Sequence, residues 1–151
     1  MKLVIQRVKR ASVSVDGRSV SEIGPGLLVL VGVAHADTDL DARFLAKKTA
    51  GLRIFNDADG RMNRSVSDVG GEILSVSQFT LYGECSKGNR PSYIQAARPG
   101  PGEALFDSYV KALEELGFPS RTGRFGADMQ VELLNDGPVT LILESTGRRR
   151  P

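Results

Sequence analysis

The stretch Asn135-Asp136-Gly137-Pro138-Val139-Thr140 decides how the last third of the chain is interpreted. Apolar, strand-like residues flank it at 129–134 and 139–143. Asn and Asp bond to their own backbone, Gly adopts positive φ, and Pro fixes φ and removes a donor. The stretch therefore predicts a turn between two strands. The alternative is that it presents bare backbone to a ligand, and turn chemistry alone leaves both interpretations open.

Apolar runs predict several strands before this point. Residues 11–15 alternate between apolar and polar side chains, as a strand does. Asp16-Gly17 is a strong hairpin signal, so residues 18–23 are predicted to form the second strand of a hairpin. Residues 27–33 form a continuous apolar run, which is typical of a strand covered on both faces. We therefore expect a three-stranded meander, followed by a further strand within residues 72–81.

Two helices are predicted between the strands. The first begins after Asp37 or Thr38, either of which is a plausible cap. Its expected core face carries Leu40, Phe44 and Leu52. The second spans residues 103–117, where apolar side chains recur at i, i+3 and i+4. Residues 82–102 are predicted to form a long loop, and loops of that length are often functional.

The composition indicates a single soluble domain. The chain has 151 residues, of which 40% are hydrophobic and 25% charged. A net charge of +2 is too small for a protein that wraps nucleic acid, but it permits brief contact with an RNA end. No apolar run approaches the roughly 20 residues of a membrane helix, and the N-terminus does not resemble a signal peptide. We therefore expect a cytoplasmic protein with no membrane contact.

These patterns predict an α+β fold, a single domain with a largely antiparallel, barrel-like sheet and two main helices. The domain is expected to span residues 1–146. Residues 147–151 form a basic, arginine-rich tail that could contact RNA.

Few residues offer conventional catalytic chemistry. His35 is the only histidine and is more typical of a loop than of a catalytic triad. Cys85, the only cysteine, excludes an internal disulfide, favours a reducing compartment and has no nearby histidine. No cluster suits zinc and no glycine pattern suits a nucleotide cofactor, so we expect neither metal nor cofactor. Ser77-Gln78-Phe79-Thr80 remains, either as an ordinary strand end or as part of a site.

Two motifs together, Ser77-Gln78-Phe79-Thr80-Leu81 and Asn135-Asp136-Gly137-Pro138-Val139-Thr140, resemble the signatures of the D-aminoacyl-tRNA deacylases, the D-Tyr-tRNA deacylase family. Nearly the whole chain shares the resemblance, including residues 5–8, 53–55, 122–125 and 127–131. The resemblance implies hydrolysis of the ester joining a D-amino acid to the 3′-terminal adenosine of tRNA. It also implies a homodimer with active sites at the interface and a cis Gly137-Pro138 bond.

The resemblance assigns the catalytic part to Ser77, Gln78, Phe79 and Thr80. Ester hydrolysis needs an attacking oxygen, a proton acceptor and stabilisation of an oxyanion. Backbone amides near Phe79 and Thr80 would form the oxyanion hole. Two routes stay open for the remaining chemistry: assistance by the 2′-hydroxyl of the substrate, or Thr80 acting as a covalent nucleophile.

Substrate binding is assigned to the second motif and its neighbours. The Gly137 and Pro138 carbonyls would grip the α-amino group and exclude an L side chain sterically, while glycine would be tolerated. Arg7 would bond those carbonyls, or would be an exposed strand arginine. Phe125 and Met129 would receive the terminal adenine, or would pack in the core.

Two other function classes remain. One is a different esterase or amidase that acts on a small molecule. The other is a dimeric RNA-binding module without catalytic activity.

Overall fold

The computed structural model describes residues 1–145, so the predicted tail at 147–151 lies outside the described residues. In chain order the elements are β1 (Lys2–Val15), β2 (Arg18–Ile23), β3 (Gly26–Gly32), α1 (Asp39–Gly51), β4 (Phe55–Asn56), β5 (Met62–Arg64), β6 (Glu72–Ser77), a 3₁₀ turn (Phe79–Tyr82), α2 (Pro99–Glu115), β7 (Arg121–Thr122) and β8 (Met129–Glu144). They form one α+β domain with a barrel-like sheet and two main helices, which confirms the predicted fold class.

The first three strands form one long hairpin instead of the predicted meander. The second half of β1 pairs with β2 and the first half with β3, and the antiparallel register continues from Val13 to Lys2 without a shift. β2 and β3 are therefore two parts of one arm, interrupted at Gly24-Pro25. The turn lies at Asp16-Gly17, as the sequence predicts. The prediction of three strands was right, but the prediction of their order was wrong because β1 is long enough to pair with both.

β8 pairs with the other edge of β1 along nearly its whole length. The predicted turn between two strands is therefore wrong, because residues 129–144 form one strand. Gln6 pairs with Thr140 and Val8 with Asn135, so the intervening residues 136–139 lie opposite Arg7 alone. We call residues 136–139 the bulge. Pairing with an uninterrupted partner overrides the local turn preference of these residues.

The sheet is mixed, although most of its pairing is antiparallel. β3 pairs in parallel with β6, and β6 pairs in parallel with β7. Gly26 makes the first of these pairings possible, since a Cβ at that position would lie 1.9 Å from the carbonyl oxygen of Glu72. β3 is covered on both faces, as its continuous apolar run predicts: Leu27 and Val29 belong to one buried cluster and Leu28 to another.

Helix α1 begins as predicted, and Phe44 and Leu52, two of the three residues expected on its core face, are partly buried against the core. Thr38 caps it, and the Thr38 amide donates to the Asp41 carboxylate at 2.9 Å in a capping box. Leu40, expected in the core, is 67% exposed. The buried residues are Ala42, Leu45, Ala46 and Thr49. This face contacts α2, where the Tyr109 hydroxyl donates to the Thr49 hydroxyl at 3.0 Å.

Helix α2 begins at Pro99, earlier than predicted, so the long loop is shorter than expected. Proline suits the first turn of a helix because its missing N–H would have no partner there. The helix ends at Glu115, and Gly117 adopts a φ of +91° just beyond it. Within residues 1–145, neither helix is long and apolar enough to cross a membrane.

Candidate functional site

A cavity of about 880 Å³ opens where the end of β6, the β1–β2 hairpin and the start of β8 meet. We call it the main cavity. Its wall includes Ser77, Gln78 and Phe79 from the first motif, together with Phe125 and Met129. The fold therefore brings together the predicted catalytic segment and the predicted adenine-binding residues, which are distant in sequence. Thr80 is next to this wall in sequence but does not line it.

Two unused backbone donors lie where β6 ends. The Gln78 amide donates to the Val31 carbonyl at 2.8 Å, which is the last bond joining this segment to β3. The next two amides, of Phe79 and Thr80, donate to no acceptor among residues 1–145. The first amides of a helical turn have no partner within that turn. Two adjacent N–H groups are thus available beside the main cavity.

The side chains of this segment lie at the surface. The Gln78 side-chain amide donates to the Thr80 hydroxyl. Phe79 is 56% exposed, and its ring contacts Tyr93 edge to face, with centroids 5.2 Å apart. An amide N–H cannot accept a proton, so Gln78 does not provide Thr80 with a general base. Burial raises the pKa of the Tyr82 phenol, which lies at the end of the same 3₁₀ turn, so that hydroxyl stays protonated at neutral pH.

Phe125 and Met129 line the main cavity and also pack on the interior. The Phe125 ring is half-buried and lies 6.4 Å from the Phe106 ring, centroid to centroid. Met129 is the first residue of β8, and a Cβ on Gly123 would come within 2.5 Å of its sulfur. The absence of a side chain at Gly123 therefore leaves room for Met129 against the cavity.

The main cavity has an acidic lining. Of its lining residues, all within the described part of the chain, Asp16 and Asp128 are acidic and none is lysine or arginine. Such a lining favours an uncharged base or a protonated amine and disfavours an anion.

Arg7 braces the bulge from beneath. Its guanidinium is buried and donates to the Ile54 carbonyl at 2.6 Å and to the Asp136 carbonyl at 3.2 Å. Its Nε also lies 3.0 Å from the Asp136 carboxylate. Asn135 completes the brace by donating to the carbonyls of Arg7, at 3.0 Å, and Val139, at 3.2 Å. Arg7 is thus not an exposed strand arginine, and its partner in the bulge is Asp136 instead of the predicted Gly137 and Pro138.

Gly137 and Pro138 lie at the surface of the bulge, joined by a cis bond as the resemblance implies. They do not line the main cavity. Val131, which does, pairs with Val13 of β1, whereas the bulge lies opposite Arg7, so six residues of β1, on the order of 20 Å at ~3.3 Å per residue, separate them. A single chain therefore keeps its two motifs apart.

Residues 4–144 match the family described as D-Tyr-tRNA(Tyr) deacylase. The chain belongs to this family. The resemblance drawn from the two motifs is confirmed, and with it the enzyme class, a hydrolase.

This chain matches similar proteins over nearly the whole length of both chains. A D-aminoacyl-tRNA deacylase of Halalkalibacterium halodurans is 57% identical, with 96% of this chain and 99% of the relative covered. A D-aminoacyl-tRNA deacylase of Heliobacterium modesticaldum is 56% identical, with 97% and 98% covered.

Solved structures show the same architecture. One described as c-Myc DNA unwinding element binding protein is 43% identical and superposes with a TM-score of 0.91, covering 96% of this chain and 99% of that one. A second, described as a probable eukaryotic D-amino acid tRNA deacylase, has a TM-score of 0.79, with 95% and 98% covered. At 18% identity, the second comparison concerns the fold alone.

Several residues of the deacylase cavity were not predicted from the sequence. The tip of the first hairpin contributes Asp16 and Gly17, and the long loop contributes Tyr93 and Ala96. The loop's length indicated a function, but no motif within it identified these positions. His35 is an exposed loop residue whose Nε2 lies 2.9 Å from the Ile94 carbonyl oxygen. Among residues 1–145 no group of three or more His, Cys, Asp or Glu side chains could hold a metal ion.

Proposed function

We propose that this deacylase hydrolyses the ester between a D-amino acid and the 3′-terminal adenosine of tRNA. The observation that carries the proposal is the pair of free amides at Phe79 and Thr80 beside a cavity lined by Phe125 and Met129. Adenine would stack on the aromatic ring and contact the thioether, as unstacked RNA bases commonly do. The ester carbonyl of the same nucleotide would then reach the two amides.

The two amides would act as an oxyanion hole. A tetrahedral intermediate places negative charge on the carbonyl oxygen, and preorganised N–H donors stabilise that charge. Within residues 1–145 the Thr80 hydroxyl is hydrogen-bonded to the Gln78 side-chain amide, which cannot act as a base. We therefore favour a route in which water attacks and the substrate's own 2′-hydroxyl assists the proton transfer. A substrate ending in 2′-deoxyadenosine should then lose activity, whereas covalent attack by Thr80 would be less affected.

L-amino acids would be excluded by steric contact with the backbone at Gly137 and Pro138. In the proposed complex, the Gly137 and Pro138 carbonyls accept hydrogen bonds from the substrate's α-ammonium group. The main chain would then occupy the space into which an L side chain points, whereas a D side chain would point away from it. Glycine has no side chain to exclude, so glycyl-tRNA should be hydrolysed as well.

This geometry needs a second copy of the chain. Gly137 and Pro138 are exposed and lie far from their own main cavity, so they would enter the cavity of a partner. β8 is also a long edge strand with outward apolar residues: Leu134 is 50% exposed and Ile142 66% exposed. Edges of this kind are commonly covered in stable proteins. We propose a homodimer with two active sites at its interface, acting in the cytoplasm.

Hydrolysis of D-Tyr-tRNA and L-Tyr-tRNA, compared in one assay, tests the proposed activity. We expect rapid release of D-tyrosine and no measurable release of L-tyrosine. Equal rates for the two would contradict the stereochemical proposal. Comparable activity on free D-aminoacyl esters would instead favour a small-molecule esterase.

The second candidate is a nucleic-acid-binding module without catalysis. The name of the 43% identical structure, which describes DNA binding, is the observation in its favour. This candidate predicts tRNA binding with no deacylation of D-Tyr-tRNA. A gel-shift measurement beside the hydrolysis assay separates the two functions.

A further inference from the structure

A second, smaller cleft adjoins the main cavity at the tip of the β1–β2 hairpin. Its volume is about 580 Å³. We call it the arginine cleft. It is lined by Val15, Asp16, Arg18, Ser19, Val20 and Arg124. Asp16 lines both spaces, so the two spaces meet at the tip of this hairpin.

Two arginines with no partner converge on this cleft. Arg18 and Arg124 are exposed, and neither guanidinium makes an ion pair or hydrogen bond with any group of residues 1–145. Arg18 is the first residue of β2, and Arg124 follows β7 by two residues. The Ser21 hydroxyl of β2 donates to the Thr122 carbonyl of β7 at 2.7 Å, close in sequence to both arginines. This bond joins the strand that contains Arg18 to the strand that precedes Arg124.

The charges of the two spaces are opposite in sign. The main cavity has the carboxylates of Asp16 and Asp128 and no cationic lining residue within the described chain. The arginine cleft has two guanidiniums and the single carboxylate of Asp16. A phosphate would be repelled by the first and attracted by the second. Arginine is also the side chain best suited to phosphate, because its planar donors match the phosphate oxygens.

We propose that Arg18 and Arg124 bind the phosphodiester on the 5′ side of the terminal adenosine. The inference rests on the proposed function, which places that adenosine in the main cavity. The adenine and ribose occupy the acidic cavity, and the phosphate linking them to the preceding nucleotide occupies the arginine cleft. The single-stranded end of the tRNA then leaves the enzyme past the hairpin tip, between β2 and the segment after β7.

Binding of two small ligands tests this assignment without requiring catalysis. The ligands are adenosine and the methyl ester of adenosine 5′-monophosphate, which has the single charge of a phosphodiester. We expect the wild type to prefer the methyl phosphate by roughly fivefold, as partly exposed charge pairs allow. Arg18→Gln/Arg124→Gln should bind both ligands equally and adenosine as tightly as the wild type does.

A second double variant provides the matched control. Arg43→Gln/Arg121→Gln removes the same charge from exposed arginines outside the cleft, which pair with acidic residues elsewhere. It should keep the wild-type preference. No preference in the wild type, or a preference that survives in Arg18→Gln/Arg124→Gln, would overturn the proposal. The single variants, each expected to lose part of the preference, cover the case in which the double variant does not fold.

Kinetics with charged tRNA separate this inference from the proposed function. For D-Tyr-tRNA, the plot of log(kcat/KM) against log[salt] should become shallower by about 0.7 in the double variant, the value for one phosphate of a single strand. If the wild type hydrolyses no D-Tyr-tRNA, the proposed function fails, and the two-ligand binding experiment still decides the phosphate site. If hydrolysis occurs but the salt slope is unchanged, the arginine cleft does not bind the substrate's phosphate.

Discussion

Replacing Arg7 with Met tests whether the buried guanidinium holds the bulge that carries Gly137 and Pro138. Met keeps much of the length of the side chain but provides no donor. The Ile54 carbonyl, which now accepts a 2.6 Å hydrogen bond, would lose its partner in a buried position. The Asp136 carbonyl and carboxylate would lose theirs as well.

The expected loss of free energy of unfolding depends on how exposed each group is that loses its hydrogen bond from Arg7. A buried carbonyl left unsatisfied costs about 1–3 kcal/mol. The Asp136 carboxylate is 29% exposed and lies 3.4 Å from the Lys9 ammonium, so water and Lys9 would recover part of its interaction. We expect Arg7→Met to lower the free energy of unfolding by about 2–4 kcal/mol, somewhat less than the roughly 3–5 kcal/mol for leaving a fully buried charge without its partner.

Urea denaturation of Arg7→Met beside Arg10→Met measures this difference. Arg10 lies on the same strand but is exposed, and it pairs with Glu132 at 3.2 Å. Its loss should cost under about 1 kcal/mol. The kcat/KM for D-Tyr-tRNA should also fall in Arg7→Met, on the order of a hundredfold, because the bulge shifts by about 1 Å or more. Equal stability of the two variants would show that the buried guanidinium does not stabilise the bulge.

Two further substitutions separate the roles of residues near the main cavity. Thr80→Ala should keep most of the single-turnover rate constant, because the Thr80 hydroxyl is hydrogen-bonded within residues 1–145 to the Gln78 amide, which cannot accept a proton; a loss of a thousandfold or so would instead support covalent attack by Thr80. Gly123→Ala would place a Cβ 2.5 Å from the Met129 sulfur, so the KM for D-Tyr-tRNA should rise several-fold while kcat changes little. Gly100→Ala, where a Cβ meets nothing within 4 Å, is the control for Gly123→Ala, and equal KM values in the two would contradict a role for Met129 in binding.

The sequence predicted element types better than it predicted their partners. Alternation in residues 11–15 and the Asp16-Gly17 turn are local signals, and the structure confirms both. β3 pairs with β1 instead of β2 because β1 is long. Local sequence patterns do not show the length of β1. The bulge is the clearest case. Its residues favour a turn in isolation, but strand β1 continues past them and pairs on both sides.

Helix α1 shows a second limit of sequence patterns. Hydrophobicity selects Leu40 for the core, yet Leu40 is mostly exposed and Ala46 is fully buried. The buried face combines Leu45 with the small residues Ala42, Ala46 and Thr49, and hydrophobic periodicity gives small residues little weight.

The candidate site was partly predictable for the same reasons. One cavity is lined by residues of the first motif and by Phe125 and Met129. The resemblance to a known family predicted that these residues belong to one site, whereas their spacing in the sequence did not. The acidic lining and the arginine cleft depend on the hairpin tip meeting the segment after β7. Arg18 and Arg124 are ordinary surface arginines in the sequence, and only the fold brings them together.

The D-to-L ratio of kcat/KM in Gly137→Ala, measured beside the wild type, tests whether the backbone at Gly137 excludes L-amino acids. A Cβ on Gly137 would meet only the Asn135 side-chain oxygen, at 3.7 Å, so the chain should fold with nearly wild-type stability. In the proposed dimer the same Cβ enters the space around the substrate's α-carbon. We predict that hydrolysis of D-Tyr-tRNA falls at least tenfold and that the D-to-L ratio falls with it, while the Tm stays unchanged. Wild-type activity and selectivity in a folded Gly137→Ala protein would contradict the backbone filter.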